Sequence, residues 1–293
     1  MTTAIHPPMP VIVGAPRSGT TLLRLVLDAG SRLAIPPETG FIPRVVAACS
    51  DARGDARESF FSVVTGASSW GDFHLSEEEF RESLGAIEPF SISEGLRSFY
   101  RLYARKVNKP RWGDKTPNYS LHLDEVERCL PEAHFIHIIR DGRDVAVSVK
   151  GLWFAPGDDA EALALDWRRR VEVARRQGQS CRRYMEVRYE ELVTDMTPVL
   201  RRICEFISLP YEPEMESYYL HAQRRLEELN GRTREHGRPL ITKDELLHLH
   251  RYTSSRPDPS RIGRWKGVMS GRERSAFESV AGGTLKELGY ETG

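Results

Sequence analysis

The stretch VIVGAPRSGTTLLRLVLDAG, residues 11–30, concentrates residue types that hold anions. A run of small apolar residues stops at Gly14, a tight Pro-Arg-Ser-Gly turn follows, and Thr20 and Thr21 open an amphipathic helix. Gly14 and Gly19 let the backbone turn sharply, and a helix start points free N–H groups and a positive dipole end into the loop. A phosphate would fit there, with Ser18, Gly19, Thr20 and Thr21 as donors. The phosphate-cradling pattern G-x-x-x-x-G-K-[ST] asks for lysine where this chain has Thr20. In nucleoside-triphosphate enzymes that lysine neutralises the β and γ phosphates, and a Ser/Thr with an acidic residue holds Mg²⁺. Here the cation is Arg17, earlier in the loop, and no obvious Mg²⁺ carboxylate follows a strand. An arginine at that place can still fork across two anionic groups. A plain glycine turn with an incidental arginine would read the same way.

A second segment, IIRDGRDVAVSV, ends a buried strand at Arg140 and places Ser148 eight residues later. Eight residues make a little over two helical turns, so Ser148 can return beneath the strand end and join Arg140 in clamping a second phosphate. Standing alone, this segment reads equally as a charged turn with a mid-helix serine.

These side chains need a frame that brings them together. Residues 10–16 and 134–140 read as buried strands, 18–29 as a helix with Leu22, Leu23, Val26 and Leu27 on one face, and YMEVRYEEL as a further strand. Residues 41–107 are mostly helical, 111–119 a strand end or loop, and 119–129, 161–178, 196–207, 212–229 and 270–288 helices. Residues 253–266 are loop-like. Strands alternating with helices imply an α/β fold of three layers, a central parallel sheet flanked by helices. Ligands of such sheets bind at the carboxyl ends of the strands. Glu38, Lys115, Arg140 and Tyr189 all follow strands and are expected to converge on one crevice.

Lys plus Arg and Asp plus Glu both number 42, so the chain has no formal net charge and is not expected to bind nucleic acid generally. The four cysteines lie far apart without a C-x-x-C pair, which suggests neither a zinc site nor a disulfide framework. With no basic-then-apolar leader and no apolar run of spanning length, a cytoplasmic protein without membrane contact is the default expectation. The 293 residues fit one large α/β unit, so 1–293 is taken as a single domain, with 47–110 a helical insertion covering the acceptor site.

Taken together, PRSGTT, RDGRDVAVS with its Arg-to-Ser interval, and VRYEEL resemble the sulfotransferases that use 3′-phosphoadenylyl sulfate, PAPS, and release PAP. Within that family, PRSGTTLLRLVLDAG…ETGFIPRV, GDKTP and RWKG are most similar to the protein-tyrosine sulfotransferases. The resemblance is dense over 10–46 and 111–210 and weak over 47–110. It implies a P-loop-like fold and a metal-free donor site. Arg17 and its loop would take the 5′-phosphosulfate, Arg140 and Ser148 the 3′-phosphate, and Tyr189 would line the nucleotide. The donor has no β–γ phosphates, which accounts for the missing lysine.

Carried over residue by residue, Glu38 takes the place of the general base, and Arg17 and Lys115 match the groups that stabilise the transferred sulfuryl. The resemblance also implies acceptor contacts from Thr39, Arg44 and Thr116, and C-terminal nucleotide contacts from Ser254, Ser255 and Arg264. Departures are Gly40 for an arginine, Gly263 for a serine and Arg264 for a lysine. His122 is the competing base, although its spacing from Pro117 does not fit the small-molecule enzymes. Trp70, Phe73, Trp153 and Phe154 could line an acceptor cleft or fill the core. The expected reaction is sulfuryl transfer to a hydroxyl of a small metabolite, glycan or tyrosine-containing peptide. A nucleotide kinase or a non-catalytic nucleotide-binding protein are the alternatives, and a homodimer is a family-level expectation.

Overall fold

The computed structural model describes residues 6–50, 54–233 and 239–293. Strand β1 (Met9–Val13) runs into helix α1 (Thr20–Ala29) and a two-residue strand, β2 (Leu33–Ala34). Five helices follow: α2 (Ile42–Ser50), α3 (Ala56–Thr65), α4 (Trp70–Phe73), α5 (Glu77–Gly85) and α6 (Ile92–Lys106). Next come β3 (Arg111–Trp112), β4 (Asp114–Lys115), a 3₁₀ turn at Pro117–Leu121, α7 (Leu123–Cys129) and β5 (Ala133–Ile139). Helices α8 (Gly142–Val149) and α9 (Ala160–Gly178) lead to β6 (Tyr184–Arg188), α10 (Tyr189–Thr194) and α11 (Met196–Phe206). The C-terminal part holds α12 (Tyr219–Leu226), β7 (Arg232–Thr233), β8 (Pro239–Ile241), α13 (Lys243–Leu249), α14 (Trp265–Val268) and α15 (Gly271–Glu287).

The central sheet has the order β4-β1-β5-β6, every pair parallel. MPVIV lacks any polar side chain, and β1 is buried along its whole length, as a strand covered on both faces must be. Alternate residues serve opposite layers. Val11, Val13 and Phe135 join Phe41, Phe60, Phe80 and Phe99 in one cluster, while Ile12, Ile136 and Ile138 meet Leu23, Leu27, Leu200 and Ile203 in another. A third cluster packs α8, α9 and α15 around Trp167 and Phe277. This is the expected three-layer α/β arrangement. Register aligns the strand ends: Ile12 lies opposite Lys115 and Ile136, and Ile139 opposite Arg188. The loops after β1, β4, β5 and β6 therefore open on one edge of the sheet.

Residues 47–110 form the helical layer behind this edge and do not cover the crevice. Phe60, Phe73, Phe80 and Phe99 on its helices are buried in core, and none of the residues lining the main cavity comes from that stretch. The helix expected over 212–229 is shorter, a 3₁₀ turn at Pro213–Met215 followed by α12. The helix expected over 119–129 breaks at His122, and α7 restarts where Gln177 Oε1 accepts the Leu123 N–H at 2.8 Å. All four cysteines are free thiols, Cys129 and Cys204 buried and Cys49 and Cys181 half-buried. Among the described residues no helix is long and apolar enough to cross a membrane.

Candidate active site

The loop between β1 and α1 is wound tightly enough to need its glycines. Gly19, at φ 102°, caps α1, and a Cβ there would lie 2.5 Å from the Tyr189 ring. Arg17 itself sits at φ 67°, a left-handed conformation uncommon for a side-chain-bearing residue. Strain at such a residue persists only where surrounding contacts fix it. Those contacts are present: Arg17 Nε donates to Ser148 Oγ at 3.2 Å and Nη2 to the Leu249 carbonyl at 2.9 Å. Ser18 Oγ is buried at the loop without a hydrogen-bond partner among the described residues.

Arg140, at the end of β5, supplies the second half. Its Nη1 donates to the Arg17 carbonyl at 3.3 Å and Nη2 to the Arg261 carbonyl at 2.8 Å, while its guanidinium lies 4.4 Å over the Tyr189 ring. The Arg140 Nε is buried and unpartnered. Burial, then the charges of Arg140, Arg261 and Arg251, lower the Arg17 pKa to about 10. Among the described residues Arg17, Arg251 and Arg261 have no ion-pair partner. Guanidinium groups without ion-pair partners in a cleft favour a bound anion.

Asp144, one turn beyond Arg140, fixes the C-terminal wall. Its carboxylate accepts the N–H of Gly263 at 2.8 Å and of Trp265 at 2.9 Å, and lies 3.6 Å from Arg140 Nη2. This anchors the irregular segment that carries Arg261.

Lys115 and Glu38 meet beside the start of α1. Lys115 Nζ donates to Glu38 Oε1 at 2.5 Å and to Thr21 Oγ1 at 3.4 Å. The lysine side chain is 4% exposed and the glutamate 49%, so the pair joins a buried cation to a solvent-reaching carboxylate. Burial lowers the Lys115 pKa, and Glu38 opposes that shift. The Glu38 loop is pinned from below. Thr39 Oγ1 donates to Asp114 Oδ2 at 2.7 Å, the Thr39 N–H to Thr116 Oγ1 at 3.1 Å, and Tyr100 donates to the same Asp114 oxygen at 2.9 Å. The Tyr119 hydroxyl lies 2.9 Å from Thr39 Oγ1 and accepts the Ile42 N–H at 3.1 Å. Burial outweighs these bonds at Asp114 and raises its pKa to about 6.

One cavity of about 420 Å³ gathers Arg17, Gly19, Thr20, Thr21, Glu38, Lys115, Arg140, Ser148 and Tyr189. The convergence expected from the strand ends is therefore present. Other expected residues lie elsewhere. Thr39 and Thr116 are 2% exposed, support the Glu38 loop from behind and do not line the cavity. Arg44 is exposed on α2 outside the cavity, because the α2 face toward the core carries Ile42 and Val45. Ser254 and Ser255 turn back to the carbonyls of Arg251 and Tyr252, and Arg264 is exposed, so none of the three lines the cavity. Arg261, Tyr252 and Thr253 line it instead. His122 lies outside, 3.3 Å from Glu125. Trp153 and Phe154 line the cavity, whereas Phe73 is core and Trp70 packs against it.

Besides Tyr252, Thr253 and Arg261, lining residues that escaped the sequence reading include Arg24, Arg232 and His250. Arg24 had a legible signal, an arginine among leucines on the apolar face of α1, four residues after Thr20 and so on the same side.

The model of the Sulfotransferase family matches residues 8–213. Protein-tyrosine sulfotransferase A of Caenorhabditis elegans is 24% identical over 97% of this chain and 67% of its own length. Nodulation protein NoeE of Sinorhizobium fredii is 31% identical over 51% of this chain and 33% of its own, and the Drosophila melanogaster protein-tyrosine sulfotransferase 28% over 76% and 42%. The chain thus spans between a third and two thirds of these relatives. In fold it is similar to the sulfotransferase domain of the curacin biosynthetic pathway, with a TM-score of 0.62, 19% identity and coverage of 99% of this chain and 100% of that one. The sulfotransferase domain of the Synechococcus PCC 7002 olefin synthase gives a TM-score of 0.62 at 21% identity, with coverage of 100% and 99%. The family match extends from before β1 to beyond α11 and takes in Arg17, Arg140, Ser148 and the Glu38–Lys115 pair; the chain belongs to the sulfotransferase family.

Proposed function

We propose that this chain transfers the sulfuryl group of PAPS to an acceptor hydroxyl, with Glu38 as general base. The observation that carries the reading is the bipartite cluster of arginines. Arg17 at the first loop and Arg140 at the end of β5 are joined where Arg140 Nη1 donates to the Arg17 carbonyl, and no carboxylate ion-pairs with Arg17 or Arg261 among the described residues. Buried Ser18 Oγ and Arg140 Nε lack partners, and buried donors of this kind are normally satisfied. A nucleotide with separate anionic groups at its 5′ and 3′ positions fits arginines brought to one cavity from two different strand ends. Names of relatives such as the nematode protein-tyrosine sulfotransferase agree with sulfuryl transfer.

In the transfer, the acceptor oxygen attacks sulfur, the bond between sulfur and the bridging phosphate oxygen breaks, and the acceptor proton passes to the Glu38 carboxylate. Arg17 and Lys115 line the cavity, and in this reading their contribution is electrostatic, toward charge that builds on the sulfuryl and leaving oxygens. No protein nucleophile is required. A kinase reading is weaker because Thr20 occupies the lysine position of the triphosphate loop. Lys115 comes from β4 and is paired with the proposed base.

Incubation with ³⁵S-labelled PAPS and a panel of tyrosine peptides, glycans and phenols tests the proposal. Label on at least one acceptor with release of PAP is expected. Absence of both transfer and PAP release across the panel, with ATP hydrolysed or transferred instead, would contradict it.

A further inference from the structure

The two residues flanking Lys115 both bond the residue that follows Glu38. Successive side chains of an extended strand point to opposite sides, so Asp114 and Thr116 share one side of β4 and its continuation, and Lys115 takes the other. Thr39 Oγ1 donates to Asp114 Oδ2 at 2.7 Å and the Thr39 N–H to Thr116 Oγ1 at 3.1 Å, while Glu38 Oε1 accepts from Lys115 Nζ at 2.5 Å. Residues 38 and 39 therefore clamp this strand from both sides. The strand is itself fixed to the sheet, since the Thr116 N–H donates to the Ile12 carbonyl at 3.2 Å. Tyr100 on α6 donates to the same Asp114 oxygen at 2.9 Å. Asp114, Thr39 and Thr116 are buried, so water does not compete for these bonds.

Glu38 needs such support. Residues 38–40 belong to no helix or strand, and the Glu38 side chain is half-exposed. Lys115 engages only Oε1, and Oε2 makes no hydrogen bond among the described residues. A general base works only within hydrogen-bond reach of the proton it takes. We propose that Thr39 and Asp114 are positioning residues, whose hydrogen bond, backed by Thr116, fixes Glu38 with one carboxylate oxygen on Lys115 and the other free for the acceptor proton. This rests on the reading of Glu38 as the base. It gives Thr39 a part in the reaction without contact to the acceptor, and it ties α6 to the base through Tyr100.

The test compares Thr39→Val, which removes the hydroxyl, with Thr39→Ser, which keeps it. In ¹⁵N-lysine-labelled protein the Lys115 Nζ resonance, assigned with Lys115→Arg, should move in Thr39→Val toward its position in Glu38→Gln and stay in place in Thr39→Ser. With the panel acceptor that the unaltered protein labels fastest, Thr39→Val should lower kcat by about 10- to 100-fold and leave KM and PAP affinity within about threefold. Thr39→Ser should restore kcat. In the Glu38→Gln background Thr39→Val should cost no more than about threefold further, because it acts through the base. An unmoved lysine resonance, an unchanged kcat, a loss confined to KM, or an equal loss with and without Glu38 would overturn the proposal. If Thr39→Val fails to fold, Thr116→Val, which removes the acceptor of the Thr39 N–H, is read in the same way. An unaltered protein that labels no acceptor would instead sink the proposed function, and the lysine resonance would still decide whether Thr39 holds the pair.

Discussion

Arg17 Nε donates to Ser148 Oγ across 131 positions of sequence, at 3.2 Å. This bond ties the loop after β1 to the helix after β5, so the two halves of the proposed donor site form one unit. The serine that the eight-residue interval placed beneath the strand end meets the first arginine. The second arginine is held through carbonyls of Arg17 and Arg261. Several expected outcomes follow from this unit and its neighbours.

Glu38→Gln removes the proposed proton acceptor while keeping its size. PAP affinity should stay within about threefold, because Glu38 is paired with Lys115 and not with Arg17 or Arg140. Transfer should fall by about 10²–10⁴, the usual worth of a positioned general base. Single-turnover assays with calorimetry on the same preparation separate the two effects. A variant with full transfer would remove Glu38 from the chemistry.

Gly19→Ala should abolish PAP binding. The added methyl meets the Tyr189 ring at 2.5 Å, and the φ of 102° is strained for alanine. Tyr189 also lies under Arg140, so displacing it disturbs both halves together. Circular dichroism to establish folding and calorimetry with PAP check this outcome; normal affinity in a folded variant would contradict the loop geometry.

Asp144→Asn reaches the nucleotide end indirectly. The carboxylate is 2% exposed and does not line the cavity, yet it holds the backbone around Arg261. An amide offers only one oxygen to the two N–H groups, and each bond to a charged group is worth about 1.5–3 kcal/mol. PAP affinity is expected to drop by roughly tenfold, accompanied by a lower melting temperature. Equilibrium binding and thermal unfolding measure the two losses; unchanged PAP affinity would show that Arg261 needs no such anchor.

His137 gives a stability test outside the site. On the buried β5, its Nδ1 lies 2.6 Å from the hydroxyl of Tyr184 on β6, and burial lowers its pKa from 6.5 to about 3. Between those values the unfolded chain binds the extra proton, so His137 contributes stability above pH 6.5 that is lost as pH falls toward 3. The slope for one such proton is about 1.4 kcal/mol per pH unit. Asp114 acts in the opposite sense, because its raised pKa of about 6 makes the folded state bind more protons above 3.8. Urea unfolding of wild type and His137→Gln between pH 4 and 7 isolates the histidine, since Asp114 is common to both. The variant should show the smaller acid loss; parallel curves would contradict the assignment.

Local patterns carried much of this site. The glycine loop, the strand ending in Arg140 and the return of Ser148 are short-range features, and β1 and β5 are apolar runs whose burial follows from composition. Residues 111–115 gave a strand end, and the rule that ligands bind at strand ends put Lys115 and Glu38 in one crevice, but nothing local paired them; family resemblance gave them roles. That same resemblance misplaced Thr39 and Thr116, whose hydroxyls face Asp114 and the Glu38 loop.

The irregular stretch after α13 was least legible. Arg261 and Arg264 differ by three positions, and which of them enters the cavity depends on Asp144 gripping Gly263 and Trp265. That is a tertiary contact with no periodic signature. Likewise the aromatic residues of 47–110 read as either cleft or core, and only packing against β1 and β5 places Phe73 in the core. His250 carried no spacing signal at all.

Calorimetry comparing PAP with ADP, in wild type and Arg140→Ala, addresses the central claim most directly. The bipartite cluster should favour PAP over ADP by at least about tenfold, as expected for a charge-assisted contact to a second phosphate. Arg140→Ala should remove most of that preference while leaving ADP affinity less affected. Equal binding of PAP and ADP by the wild-type protein would contradict the account.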